Sequence, residues 1–444
     1  MLGVAVAEQS GLLSALVRAM VTKVSPKFLT FIVALAGVTG SVASDAIYVI
    51  LIPLGAMAFH SVGRSPIVGA MVAFAASSAG FNSSLILNTT DLLLAGISTP
   101  AAQFVDEAYE VSPLANIFFV IPSAIVLSLI ITAVTEWFMV KKARDLVNHD
   151  KINYEEVSFS QAAGAADNEA DEDAEEGDVD FEEEEDELRV KPEEQKGLAA
   201  SGIALLIFLA GFFALLFIPG SPLASQEDSF MESPLISAIA VPIALAFLVC
   251  GIVYGIYAGT LKSASDVPDF MAKGINTLVP ILVLFFAVAQ FLAWFGWSNL
   301  GVWTAIKGSE LLQAWSLPPI LMFAALVAMV AILNLFITSG SAQWALMAPV
   351  IVPMMMYVGI SPEVSQMLFR IGDSPTNIIT PMSPYFALAL TFLQRYYKPA
   401  GVGTLMSLAL PYSIAMLVGW FIFFIVWYLL GIPLGPGAPM HYPA

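Results

Sequence analysis

Apolar residues along this chain come in blocks of about twenty, the length that carries an α-helix across the hydrocarbon core of a bilayer. Uninterrupted blocks lie at 114–140, 198–218, 234–258, about 275–296 and 402–430, and a partial one runs from Met1 to about Met20. Four further apolar stretches are broken by polar and small residues. Residues 28–59 are interrupted at Gly37, Gly40-Ser41 and Ser44-Asp45, and residues 318–358 carry Gly340 near their middle. Each of these predicts two short arms of a re-entrant hairpin. Residues 66–97 break at Ser77-Ser78 and again from Gly80 to Thr90, and residues 362–394 form a second broken segment. The stretch 298–314, with Trp303, Lys307 and Glu310, is partly amphipathic.

The interruptions are duplicated. Gly40-Ser41 is followed thirteen residues on by Pro53, and Gly340-Ser341 thirteen residues on by Pro353. A small gap then aligns Phe74 with Phe369 and Asn82 with Asn377. Basic residues mark the cytoplasmic side. Arg18, Lys23, Lys27 and Arg64 surround the first hairpin, and Lys141, Lys142 and Arg144 precede the loop after residue 145. The loops 98–113 and 219–233 contain no Lys or Arg and belong outside, whereas Lys262 and Lys273 are again inside. Arg395 and Lys398 lie beyond the second broken segment, so the second hairpin enters from the opposite face. The predicted fold is an all-α polytopic membrane protein with inverted-topology repeats, the arrangement of secondary transporters. It divides into a first repeat over 1–145, an acidic loop over 146–196, and a second half over 197–444.

Composition agrees: 58% of residues are hydrophobic and 12% charged. The formal charge of −19 misleads, because 17 of the 36 acids fall between Asp167 and Glu194, leaving 19 acids against 15 bases elsewhere. That loop is too polar to fold alone and reads as a disordered cytoplasmic linker. Cys250 is the single cysteine, so no disulfide or multi-cysteine metal site exists. No basic patch with interleaved aromatics supports nucleic-acid binding, and no Walker, HExxH, GxSxG or CxxC pattern supports hydrolase or ATPase chemistry. The opening Met1–Ala7 lacks the charged lead of a signal peptide and reads as the interior of a longer membrane segment.

Irregular backbone survives at membrane depth only around a protein-lined cavity. Asn82, Ser83, Ser84, Asn88, Ser374, Thr376 and Asn377 therefore become candidate ion ligands, with oxygens of the type that suits Na⁺, chiefly at Asn82 and Asn377. An isolated serine here would more often be helix-packing glue, but matched clusters in both repeats point to a site. Asp91, Arg370 and Asp373 are ionisable groups in apolar surroundings, where such residues are costly and functional by default. Arg370 and Asp373 stand three apart, a spacing that lets them pair on one helix face, while Asp91 has no partner evident from spacing. Arg370 suits a substrate carboxylate, and Asp91 or Asp373 a cation or proton. Trp344 could stack on an aromatic substrate or simply pack. Asp45 is a further acid near the first hairpin tip, and His60 reads as interfacial.

Several blocks resemble the p-aminobenzoyl-glutamate transporter (AbgT) family: Ala7-Glu8-Gln9-Ser10-Gly11-Leu12, Ser341-Ala342-Gln343-Trp344-Ala345, Arg370-Ile371-Gly372-Asp373-Ser374, Thr376 to Met382, and Gly435 to Pro439. The resemblance implies a homodimer in the bacterial inner membrane, with nine spans and two hairpins per subunit. It also implies uptake of p-aminobenzoyl-glutamate or export of sulfonamide antimetabolites, coupled to Na⁺ or protons. Substrate-binding positions implied by it are Asp91, Asn334, Ser341, Trp344, Pro362, Arg370, Asp373 and Pro381. Family members begin with an additional span before the Ala7-Glu8 block. The expected function is secondary transport of small aromatic anions, with no enzymatic activity and no cofactor beyond Na⁺. A Na⁺-coupled dicarboxylate carrier, a membrane-embedded enzyme using Asp91 and Asp373, and a channel are the alternatives.

Overall fold

The computed structural model describes residues 2–22, 25–41, 46–146, 152, 190–218, 221, 240–315 and 318–442. Asp45, Lys23 and nearly all of the acidic loop lie outside the described residues, as does most of the loop 219–233. Among the described residues the regular structure is helical, with two isolated bridges, Ile360 to His441 and Gly435 to Ala438.

The first half contains α1 (Leu2–Gln9), α2 (Leu12–Thr22), α3 (Leu29–Gly40), α4 (Ala46–Ser61), α5 (Pro66–Gly80), α6 (Thr89–Ala102), α7 (Ile117–Val134) and α8 (Val140–Leu146). A single π turn, Thr135–Met139, joins α7 to α8. The second half contains α9 (Pro192–Phe217), α10 (Ala240–Ala258), α11 (Asp266–Trp297), α12 (Leu300–Trp315), α13 (Pro319–Asn334), α14 (Gly340–Met356), α15 (Pro362–Asp373), α16 (Pro384–Tyr396) and α17 (Val402–Leu429). A 3₁₀ segment, Ser374–Ile379, follows α15.

Ser-Pro pairs start three of these helices: Ser65-Pro66, Ser361-Pro362 and Ser383-Pro384. Proline at the first helical position loses no needed N–H, and its fixed φ suits the helix. Among the described residues, four helical stretches are long and apolar enough to cross a bilayer: Ile117–Arg144, Pro192–Leu215, Val241–Ala258 and Val402–Leu429. Two bent pairs qualify jointly, α1 with α2 at 58° and the end of α11 with α12 at 74°. The first bend falls inside the block from Met1 to about Met20. Gly11 turns the chain there at φ +86°, a conformation glycine adopts without strain.

The expected hairpin segments are each a pair of short helices, α3/α4 and α13/α14. The expected broken segments are α5/α6, parted by the non-helical run 81–88, and α15/α16, parted by the 3₁₀ segment. The principal core unites α3, α4, α5 and α7 with α13 to α17. A smaller core, with Ala7, Leu12, Leu13, Ala15, Cys250 and Tyr254, joins α1 and α2 to α10. Backbones meet closely where residues are small: a Cβ on Gly69 would fall 2.2 Å from the Gly55 carbonyl oxygen, fixing α4 against α5. Pro411 within α17 cannot donate to the carbonyl of Ser407, and Lys142 Nζ takes that acceptor at 2.5 Å.

Candidate functional site

The two halves meet through α15 and the segment after it. Asn88 caps α6: its side chain accepts from the Asp91 N–H at 3.1 Å, and Asp91 Oδ2 accepts from the Asn88 N–H at 2.9 Å. The cap fixes the carboxylate at the positive end of α6. Its other oxygen, Oδ1, accepts from Arg370 Nη1 at 2.5 Å, and both side chains are at most 5% exposed. Arg370 therefore pairs across the halves, not with Asp373 as the three-residue spacing suggests. Asp91, expected to lack a partner, has one.

Asp373 is fully buried and accepts from Asn82 Nδ2 at 2.5 Å. Its Oδ2 also lies against the first turn of α14, where a Cβ added at Gly340 would sit 3.1 Å away. Asn334, at the end of α13, places Nδ2 2.9 Å from the Asp373 carbonyl oxygen, 2.8 Å from Thr376 Oγ1 and 2.9 Å from Asn377 Oδ1. Ser78 Oγ donates to the Ser374 carbonyl at 2.7 Å. Ends of α5, α13, α14 and α15 thus converge on one polar cluster.

Four buried oxygens in this cluster have no hydrogen-bond partner: Asn82 Oδ1, Asn334 Oδ1, Asp373 Oδ1 and Ser374 Oγ. Leaving such groups unsatisfied is expensive, so a ligand able to bind them is favoured. One carboxylate with neutral oxygens is a donor set that fits a hard monovalent cation. Among the described residues, no group of three or more His, Cys, Asp or Glu residues could hold a metal ion.

The remaining predicted residues play varied parts. Ser83 is buried and reaches the Val120 carbonyl at 3.4 Å, while Ser84 caps its own turn through Ile86 N–H. Thr376 Oγ1 bonds back to the carbonyls of Gly372 and Asp373. Pro362 opens α15, and Pro381 is an exposed residue between the 3₁₀ segment and α16. Ser341 sits in the first turn of α14, with its hydroxyl 3.5 Å from that of Ser339.

Trp344 is wholly enclosed. Its ring packs on Phe369 with centroids 4.9 Å apart, and Nε1 donates to Ser98 Oγ at 3.0 Å. In this conformation it locks α14 to α6, so contact with a substrate ring requires that lock to open. Trp344→Phe should cost about 1 to 3 kcal/mol of stability by removing the bond to buried Ser98. Thermal unfolding of Trp344→Phe, Ser98→Ala and the double variant checks this. Strictly additive losses would remove the hydrogen bond from the account.

Sequence spacing did not single out four further members, Glu363, Gln366, Tyr109 and Asn116. Glu363, Gln366, Arg370 and Asp373 recur at intervals of three, four and three along α15 and are all nearly inaccessible. Each meets a first-half residue: Tyr109 OH at 3.1 and 3.0 Å from the two Glu363 oxygens, Asn116 Nδ2 at 2.7 Å from Gln366 Oε1, then Asp91 and Asn82 as above. A polar stripe at helical spacing inside an apolar region was the available signal. A separate cavity of about 360 Å³, bounded by residues such as Leu12, Leu16, Leu198 and Phe247, is almost wholly apolar and touches none of these side chains.

Comparison with known proteins covers nearly the whole chain. The sequence profile described as the AbgT putative transporter family matches residues 1–163 and 170–442. The p-aminobenzoyl-glutamate transport protein of Escherichia coli (strain K12) is 35% identical over 439 residues, spanning 98% of this chain and 80% of that protein. The Alcanivorax borkumensis YdaH transporter, whose crystal structure reveals an unusual topology, superposes with a TM-score of 0.85 at 38% identity, over 98% of this chain and 85% of its own. Neisseria gonorrhoeae MtrF, which illuminates a class of antimetabolite efflux pumps, gives 0.84 at 40% identity, over 99% and 82%.

Proposed function

Because the chain belongs to the AbgT transporter family and is a multi-pass membrane transporter, not an enzyme, we propose that it moves small aromatic anions by cation-coupled alternating access. The substrates we assign are p-aminobenzoyl-glutamate or sulfonamide-like antimetabolites. The proposal rests most on the Arg370–Asp91 ion pair. It is a buried guanidinium held by one carboxylate at the meeting of two broken segments. A substrate carboxylate can exchange with Asp91 for the guanidinium, which makes the pair a substrate-responsive contact.

In this reading α3/α4 and α13/α14 are re-entrant hairpins of inverted repeats, and their tips close the site from opposite faces. A co-transported Na⁺ or proton is held by Asp373 with Asn82, Asn334, Asn377 and Ser374. The cation neutralises Asp373 as the halves close around it. We further assign a homodimer in the bacterial inner membrane.

The test is counterflow of labelled p-aminobenzoyl-glutamate in proteoliposomes, with and without Na⁺ and across imposed proton gradients. Saturable exchange that responds to one cation supports the proposal. Exchange of succinate in its place would favour a dicarboxylate carrier, and chemically altered product would favour an enzyme.

A further inference from the structure

Glu363 is a buried carboxyl group to which the transport reading gives no task. It lies in the first turn of α15, and the ion pairs formed among the described residues do not include it. Both of its oxygens approach one hydroxyl, Tyr109 OH, at 3.1 and 3.0 Å. A phenol has one proton to give. The second contact becomes a full hydrogen bond only when Glu363 itself carries a proton and donates it back. Burial and the neighbouring Glu363 hold the Tyr109 phenol well above its ordinary pKa, so Tyr109 stays a donor throughout the physiological range.

The surroundings disfavour a charged Glu363. Tyr109 stacks edge-on against Tyr442 at 5.8 Å, and Tyr442 OH reaches Asp106 at 3.5 Å. The C-terminal tail holds this cluster in place, since Tyr442 N–H donates to the Gly359 carbonyl and Ser361 N–H to that of Met440. Glu363 itself meets the Tyr109 phenol, from the loop after α6, and the Ser361 hydroxyl, while Asp106 and Tyr442 face Tyr109 and Tyr357 lies beside Tyr442. None of these is a cation. The next positive charge along the stripe is Arg370, which Asp91 already holds. In favour of the anion stand the amino end of α15 and the hydroxyls of Tyr109 and Ser361, all of them neutral donors.

This pair is the terminal rung of the stripe that leads along α15 to Asp373. Charge bias assigns the loop 98–113 to the external face. We propose that Glu363 is a proton-binding gate residue: protonated, it closes the outer end of the seam against Tyr109, and ionised, it releases that end. The proton comes from the external solution and returns to it. Loss of the proton leaves a desolvated carboxylate against Tyr109, whose phenol Asp106 also faces, and the strain is relieved when the loop and tail separate from α15 and admit water. The inference rests on the transport reading only in that the seam leads to its site.

The test reads opening without flux. A single cysteine is placed at Gln366→Cys in a Cys250→Ala background, in nanodiscs where both faces are open to reagent. Its modification by a small polar maleimide is followed from about pH 6 to about pH 8.5, with Glu363 intact and as Glu363→Gln. Thiolate chemistry is common to both and cancels in their ratio. The ratio should rise about tenfold toward the alkaline end, equivalent to about 1.4 kcal/mol. Tyr109→Phe, which lacks the hydroxyl, should be modified rapidly at every pH. A ratio that stays constant with pH overturns the proposal. So does a Tyr109→Phe protein as protected as its parent, and that variant alone decides if Glu363→Gln does not assemble. Either failure leaves the counterflow result standing, and absent counterflow leaves this result standing.

Discussion

Arg370→Ala is expected to abolish counterflow and to destabilise the protein by about 3 to 5 kcal/mol, because it strands the Asp91 carboxylate in a desolvated interior. Asp91→Ala should do the same from the other side, since it strands a guanidinium that is 1% exposed. The double alanine variant separates the two effects. With both charges gone, much of the lost stability should return, while transport stays absent because no guanidinium remains to meet the substrate. Thermal unfolding in detergent and counterflow in proteoliposomes read the two quantities independently. If both single variants transport as the unmodified chain does, the pair is not part of the substrate path.

Asp373→Asn carries the second largest expected effect. The amide nearly matches the carboxyl in shape and can still accept from Asn82, so the fold should persist. What disappears is the formal charge among four oxygens that lack hydrogen bonds. Losing a charge-assisted contact of about 1.5 to 3 kcal/mol corresponds to roughly 10- to 100-fold weaker cation binding. The measurement is the Na⁺ concentration that half-activates counterflow. It should move upward by that factor in Asp373→Asn and less in Asn82→Ala. An unmoved value in Asp373→Asn would exclude this carboxylate as the cation ligand.

Much of this architecture was legible in the chain because bilayer thickness imposes a length on every span and a cost on every break. The two-armed segments at 28–59 and 318–358 and the interrupted ones at 66–97 and 362–394 emerge as paired helices for that reason. Asn82 and Asp373 were visible because polar residues at membrane depth need a purpose. Less visible was which group meets which. Asp91 and Arg370 are 279 residues apart, and no periodicity relates them, so the nearer Asp373 looked the better mate. Glu363 was obscured by its place at a helix start, where an acid is ordinary. Gln366 and Asn116 are uncharged and carried too weak a signal singly. The role of Trp344 turns on its burial, a property of packing that local sequence does not encode.

The contact between Gly55 and Gly69 bears on how the machine moves. Two backbones in touch leave no lubricating layer of side chains, so α4 and α5 cannot slip past one another without a steric clash. Helices α4 and α5 must travel as one rigid plate. Displacement that carries a solute across the membrane is then confined to the margins of that plate, and a bulkier residue at position 69 would jam the cycle at a distance from every group that touches cargo.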